Sequence, residues 1–156
     1  MRIAVVGAQA PELCRLTGRL ALPLQTLADA ADSTWDILGL ARGVSGDLQR
    51  AVRTRCLLLP GDSGASLLRS IRAEQIVGYG LSPRHTLTLS SLAGEERILC
   101  LQRALVTLDG RLIEPQELSL PPELSALDAE QALLAAGLLL LSARGVSGAK
   151  AVNRAL

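Results

Sequence analysis

The sequence predicts an α/β fold: a three-layer, Rossmann-like domain with a mainly parallel sheet, an antiparallel β-hairpin extension and helices on both faces. Three observations carry this. Short, nearly continuous apolar runs alternate with helical segments over the first half, the pattern of strands buried on both faces. From Thr86 onward apolar residues recur at period two. Asp109-Gly110 is a strong hairpin turn.

Ile3–Val6 is a short apolar, β-branched run ending at Gly7. Pro11 suits the first turn of a helix running from Glu12 to about Ala21, with Leu13, Leu16 and Leu20 near helical spacing. Pro23 ends that helix, and Leu24–Leu27 reads as extended chain or loop. Trp35–Leu40 is a second strand, and Cys56–Leu59 a third, bounded by Pro60-Gly61. Ser63 can cap a helix from about Gly64 to Ala73, after which Ile76–Tyr79 is a fourth strand.

Thr86–Leu92 and Arg97–Leu105 are read as further strands, followed by a hairpin across Leu108–Arg111. The last element is an Ala/Leu helix capped near Ser125 or Asp128 and spanning roughly 126–143. The whole is read as one domain: a front half at 1–54, a back half at 55–144 and a C-terminal tail at 145–156.

Composition narrows the function classes. Hydrophobic residues make up 49% of the 156, yet Trp35 and Tyr79 are the only aromatic ones, so the chain lacks the rings that stack on single-stranded bases. Net charge is +1 and the sixteen cations are scattered, which gives nucleic acid and anionic lipid no basic face. All but Lys150 are arginine, a skew that points to a GC-rich bacterial genome.

Cys14, Cys56 and Cys100 are odd in number, widely spaced and set in apolar runs, as expected of a reduced, cytoplasmic protein without a metal. The start enters a strand directly and lacks a signal-peptide layout. Ala132–Leu141 covers ten residues, about half of what a bilayer span needs, so no membrane association is expected. The Leu-rich final helix could instead serve a homo-oligomer.

The first βα turn, Gly7-Ala-Gln-Ala-Pro-Glu12, has one glycine where a dinucleotide cradle needs three. Its proline lacks an amide donor, and Glu12 would repel phosphate. Lys150 lies in Gly145-Val-Ser-Gly-Ala-Lys-Ala151, where the spacing is wrong for a Walker loop and Ala151 supplies no hydroxyl for magnesium. No cofactor is expected.

Pro60-Gly61-Asp62-Ser63 lies at the end of a predicted parallel strand, where ligands of open α/β sheets gather; capping of the next helix is the structural alternative. His85, the only imidazole, follows Ser82-Pro83-Arg84 in a loop without a placed nucleophile or carboxylate. Ala-Arg-Gly-Val-Ser-Gly occurs at 41–46 and again at 143–148, and such glycine-rich backbone can turn amides toward an anion or simply form an exit loop. Gly7, Gly43, Gly61, Asp62, Ser63 and His85 are therefore the candidate ligand-binding residues, and no catalytic residue is assigned.

The back half, over roughly 55–143, resembles the distal part of the Mur-ligase central domain. The resemblance rests on the turn Pro60-Gly-Asp-Ser63, the strand-ending pair Tyr79-Gly80, the β extension, and a helix opening Leu127-Asp128-Ala-Glu-Gln131-Ala-Leu-Leu-Ala-Ala136. In the family that helix opens His-Asn-x-x-Asn; here those three positions hold Leu127, Asp128 and Gln131. The family's P-loop, carbamylated lysine and magnesium-binding Glu/His have no counterparts.

The resemblance thus implies a nucleotide-handling scaffold that has shed the groups gripping a triphosphate: a non-catalytic cytoplasmic domain binding a partner protein or small ligand. The alternative is a small Rossmann-like nucleotide-binding protein or enzyme that uses the carboxyl ends of its strands.

Overall fold

The computed structural model describes residues 1–7, 24–27, 34–44, 52–61, 67–91 and 97–143. Two compact units divide the chain, Met1–Gly78 and Tyr79–Leu156. The protein is of the α/β class.

The first unit holds β1 (Ile3–Val6), β2 (Leu24–Leu27), β3 (Thr34–Leu40), β4 (Val52–Pro60) and β5 (Ile71–Tyr79), which ends on the first residue of the second unit. Their order across the sheet is β5-β4-β3-β1-β2. β1 pairs in parallel with β2, Ile3 opposite Leu24, and with β3, Ile3 opposite Ile37. β3 runs parallel to β4, with Thr34 opposite Arg53. The Val52 N–H donates to the Ser70 carbonyl at 2.9 Å, which sets the start of β5 beside the start of β4 and makes these two parallel as well.

Burial follows from this pairing. Every residue of β1 is buried, as a strand inside a parallel sheet should be. Ala4, Val6, Trp35, Leu38, Leu40, Leu57, Leu59 and Ile71 form one apolar cluster. Each aliphatic side chain buried there contributes about 1.5–3 kcal/mol. The Arg2 guanidinium covers the outer edge of this core, 4.5 Å from the Trp35 ring centroid.

β4 changes character along its length: Val52 and Thr54 are buried while Arg53 and Arg55 are exposed, and from Cys56 to Pro60 every residue is buried. The first half of the strand therefore has one solvated face.

Two sequence expectations are corrected in this unit. β4 starts at Val52, four residues before the predicted Cys56, because the alternating Val52–Arg55 stretch belongs to it. Of the predicted helix over 64–73, residues 64–66 lie outside the described residues, Leu67–Arg69 form a 3-10 turn, and Ile71–Ala73 already lie in β5. Ile71 enters the core cluster while Arg72, Glu74 and Ile76 face solvent, so pairing with β4 overrides the helical preference of this stretch. The predicted helix over 12–21 lies outside the described residues, as do Asp62 and Ser63.

In the second unit β6 (Leu87–Ser91), β7 (Ile98–Leu101) and β10 (Gln116–Ser119) form an antiparallel run in the order β6-β7-β10. Leu87 stands opposite Leu101 on one side, and Leu101 opposite Gln116 on the other. β8 (Leu105–Val106) and β9 (Leu112–Ile113) form a separate two-stranded sheet.

The strand expected over 97–105 thus breaks after Leu101, where the Gln102 N–H turns to the Thr86 carbonyl at 2.8 Å. The hairpin at Leu108–Arg111 is present, but the antiparallel extension is made by β6, β7 and β10 rather than by it. Gly110, at φ +85°, supplies the left-handed residue of its loop.

Two helices follow, α1 (Pro122–Ser125) and α2 (Ala129–Leu141). The Asp128 side chain caps α2 by accepting from the Gln131 N–H at 2.9 Å. Gln131 through Leu141 are all buried within the chain, as a helix apolar all round its circumference requires. Among the described residues no helix is long and apolar enough to cross a membrane.

Candidate functional site

Because β1, β3 and β4 are parallel, their carboxyl ends share one edge, and that edge carries Gly7, the Ala41–Val44 turn with Gly43, and Gly61. The Ala41 N–H donates to the Val6 carbonyl at 2.9 Å and stitches the exits of β1 and β3 together. Gly7 has φ +137°, and a Cβ there would lie 2.6 Å from the Ala41 Cβ and 3.2 Å from Val44 Cγ2. The chain's own loop therefore occupies the space beside Gly7, and the glycine is explained by that close approach. Gly43, at φ +81°, has open space around it, and Gly61 is exposed.

His85 belongs to the second unit, in the loop between β5 and β6. Its ring lies against Gly80, where a Cβ would come within 2.7 Å of His85 Cδ2. The loop is held by backbone: the Gly80 N–H donates to the Leu87 carbonyl and the His85 N–H to the Ser82 carbonyl, each at 3.1 Å. The Arg103 guanidinium donates to the Arg84 carbonyl at 2.7 Å. His85 is thereby a packing residue of a braced loop.

The positions that carry the ligase resemblance are committed to the fold. Leu127 is buried and its carbonyl accepts from the Arg97 guanidinium. Asp128 caps α2, and Gln131 is buried. Tyr79 is buried too, and its phenol is pushed far above the ordinary range by burial, then by the negative charges of Glu130 and Asp128, which keeps it a neutral hydroxyl. Burial likewise raises the Cys56 thiol, against the Gln75 side chain that donates to its sulfur at 3.4 Å. A protonated thiol is a poor nucleophile. Among the described residues no three His, Cys, Asp or Glu side chains gather to hold a metal ion.

The first unit also contains a cleft of about 570 Å³ at the other end of its strands, where β4 and β5 begin. Arg53, Arg72 and Glu74 line it together with Leu68, Ile71 and Ile76. The Val52-to-Ser70 hydrogen bond fixes Val52 beside Ile71 and hence Arg53 beside Arg72 on the neighbouring strand. Both arginines are exposed, and neither has a hydrogen-bond or ion-pair partner among the described residues.

Sequence reasoning placed ligands at the carboxyl edge and missed this cleft. The alternation of Val52–Arg55 marks strand in the sequence, but the placing of Arg53 beside Arg72 is set by the register of two strands and leaves no signal along either one. No protein-family model, curated protein or solved structure matches the chain.

Proposed function

We propose that this chain is a non-catalytic binding domain built on a Mur-ligase-like, three-layer Rossmann-like scaffold, and that it takes a small ligand or a partner protein in the cytoplasm. The observation that supports this is the use made of Leu127, Asp128 and Gln131. In the ligase pattern these positions carry a His and two Asn; here one is in the core, one closes a helix end and one is buried at the first turn of α2. Side chains spent on burial and capping are not available to a nucleotide or to magnesium.

Incubating the full chain with ATP, UDP-sugars and magnesium while following phosphate release tests the reading. No turnover is expected, and steady ATP hydrolysis by the purified chain overturns it.

A further inference from the structure

We propose that the cleft at the start of β4 and β5 is an anion site, where Arg53 and Arg72 together hold the phosphate or carboxylate of a small ligand whose apolar part lies over Ile76. The proposal deepens the binding-domain reading above and rests on it.

The argument begins with a cost. Like charges on neighbouring strands at the same level repel, and the cross-strand penalty is of the same size as the gain from an opposite-charge pair. Arg53 and Arg72 are such neighbours, and among the described residues no carboxylate compensates them. Glu74 is two residues further along the exposed side of β5 and forms no ion pair with either guanidinium. By contrast, Arg55 on the same strand lies 3.9 Å from the Asp36 carboxylate. Arg53 and Arg72 both line the cleft, and neither has a carboxylate partner among the described residues.

A guanidinium presents a planar fork of donors that matches an oxyanion, and two forks side by side can hold one tetrahedral or planar anion from both flanks. The floor favours an amphipathic ligand over a bare ion. Ile76 lies on the same exposed side of β5 as Arg72 and lines the cleft, so an apolar side chain stands on the arginine side. Glu74 at the rim would repel a second anionic group, which restricts the anionic end of the ligand to the arginine side. Apolar pockets with a few convergent polar groups are the usual form of small-molecule sites.

The test uses the full chain, the variants Arg53→Gln and Arg72→Gln, and two probes, sodium phosphate and sodium hexanoate. Thermal melts and amide chemical shifts are followed against sodium chloride at matched ionic strength. At least one probe should raise the melting temperature of the unchanged chain beyond the chloride control, with shifts centred on 53–54 and 71–76.

Either variant should weaken that response roughly tenfold, because a hydrogen bond to a charged group is removed. In chloride alone Arg72→Gln should be at least as stable as the parent, since repulsion is relieved. A response to phosphate alone assigns a phosphate ligand, and one to hexanoate alone assigns a carboxylate with an apolar tail. Equal responses in parent and variants, or none beyond chloride, overturn the site. ATP turnover would overturn the non-catalytic reading while leaving the anion response at Arg53 and Arg72 to be judged by these melts.

Discussion

Tyr79 and Leu87 form the parallel pair that joins β5 to β6. Parallel neighbours ordinarily need a crossover of a dozen or more residues, because the chain must travel back the length of a strand before starting again. Here only residues 80–86 intervene. The short loop suffices because Tyr79 and Leu87 pair at a single level, so no return path is required. The Gly80 N–H closes the loop on the Leu87 carbonyl at 3.1 Å.

That closure makes Gly80 sensitive to its neighbour. A Cβ there would sit 2.7 Å from His85 Cδ2 and 3.0 Å from Nε2, so Gly80→Ala must displace the imidazole. We expect a loss of about 1–3 kcal/mol, the usual range for overpacking. His85→Ala in the same chain should recover most of it, since the clash is with that ring and the two sites couple directly. Chemical denaturation of the four members of the cycle measures this, and strictly additive losses would show that the glycine is required for another reason.

Gly7 and Gly43 separate two causes that sequence alone cannot. Both have positive φ, but Gly7 faces the Ala41 Cβ at 2.6 Å while Gly43 faces open space. Gly43→Ala should cost only the backbone penalty, about 1–2 kcal/mol. Gly7→Ala adds a steric clash with a side chain that has no rotamer to escape into, so its loss should exceed that of Gly43→Ala by about 1–3 kcal/mol. Ala41→Gly should relieve the excess alone. Equal losses at the two glycines would overturn the steric explanation for Gly7.

Much of the fold was legible where burial and propensity agree. Ile3–Val6 is a continuous apolar run and Trp35–Leu40 a nearly continuous one, and they are strands within a residue of where the pattern put them. The cap was legible as Ser125 or Asp128, both short acceptors before the Ala/Leu run, and Asp128 is the one that caps the helix. Ile71–Ala73 was not, because Arg, Ala and Glu favour a helix locally and only pairing with β4 makes them a strand. The cleft was less legible still. It depends on Arg53 and Arg72 standing side by side, a relation set by the register of two strands and invisible to any period along one of them. The carboxyl edge was placed correctly as an edge, yet the packing of Ala41 against Gly7 depends on tertiary geometry.

The end of α2 offers a stabilising change. The Leu141 carbonyl accepts from the Leu108 N–H at 2.8 Å, and the Ala143 carbonyl from the Arg111 guanidinium at 3.3 Å, so the β8–β9 loop satisfies groups that a helix end leaves open. Ala143 adopts φ 60°, the left-handed conformation usually given to glycine at this position. Ala143→Gly should therefore raise stability by about 0.5–1 kcal/mol, the left-handed penalty less the extra freedom of unfolded glycine. Arg111→Ala should lower it. A melt in which Ala143→Gly is destabilising would argue that the cap is held by something other than its backbone angle.

The same loop carries an acid-sensitive contact. Asp109 accepts from the Thr107 hydroxyl, then from the Arg111 N–H at 3.4 Å and its Nε at 3.0 Å. These partners, the Thr107 hydroxyl foremost, hold the Asp109 carboxyl below its ordinary value. A carboxylate whose folded value lies below its unfolded one stabilises fully above the unfolded value, and that contribution disappears as pH falls through the folded value. The stability difference between the parent chain and Asp109→Asn should accordingly be constant near neutrality and shrink once pH drops below the ordinary aspartate range. Because Asp109 and Arg111 are both well exposed, the effect should be small and should fade further in high salt. Denaturation midpoints recorded from neutral pH into the acid limb give the answer, and a difference that stays unchanged through that limb would rule out a pH-linked role for the carboxylate.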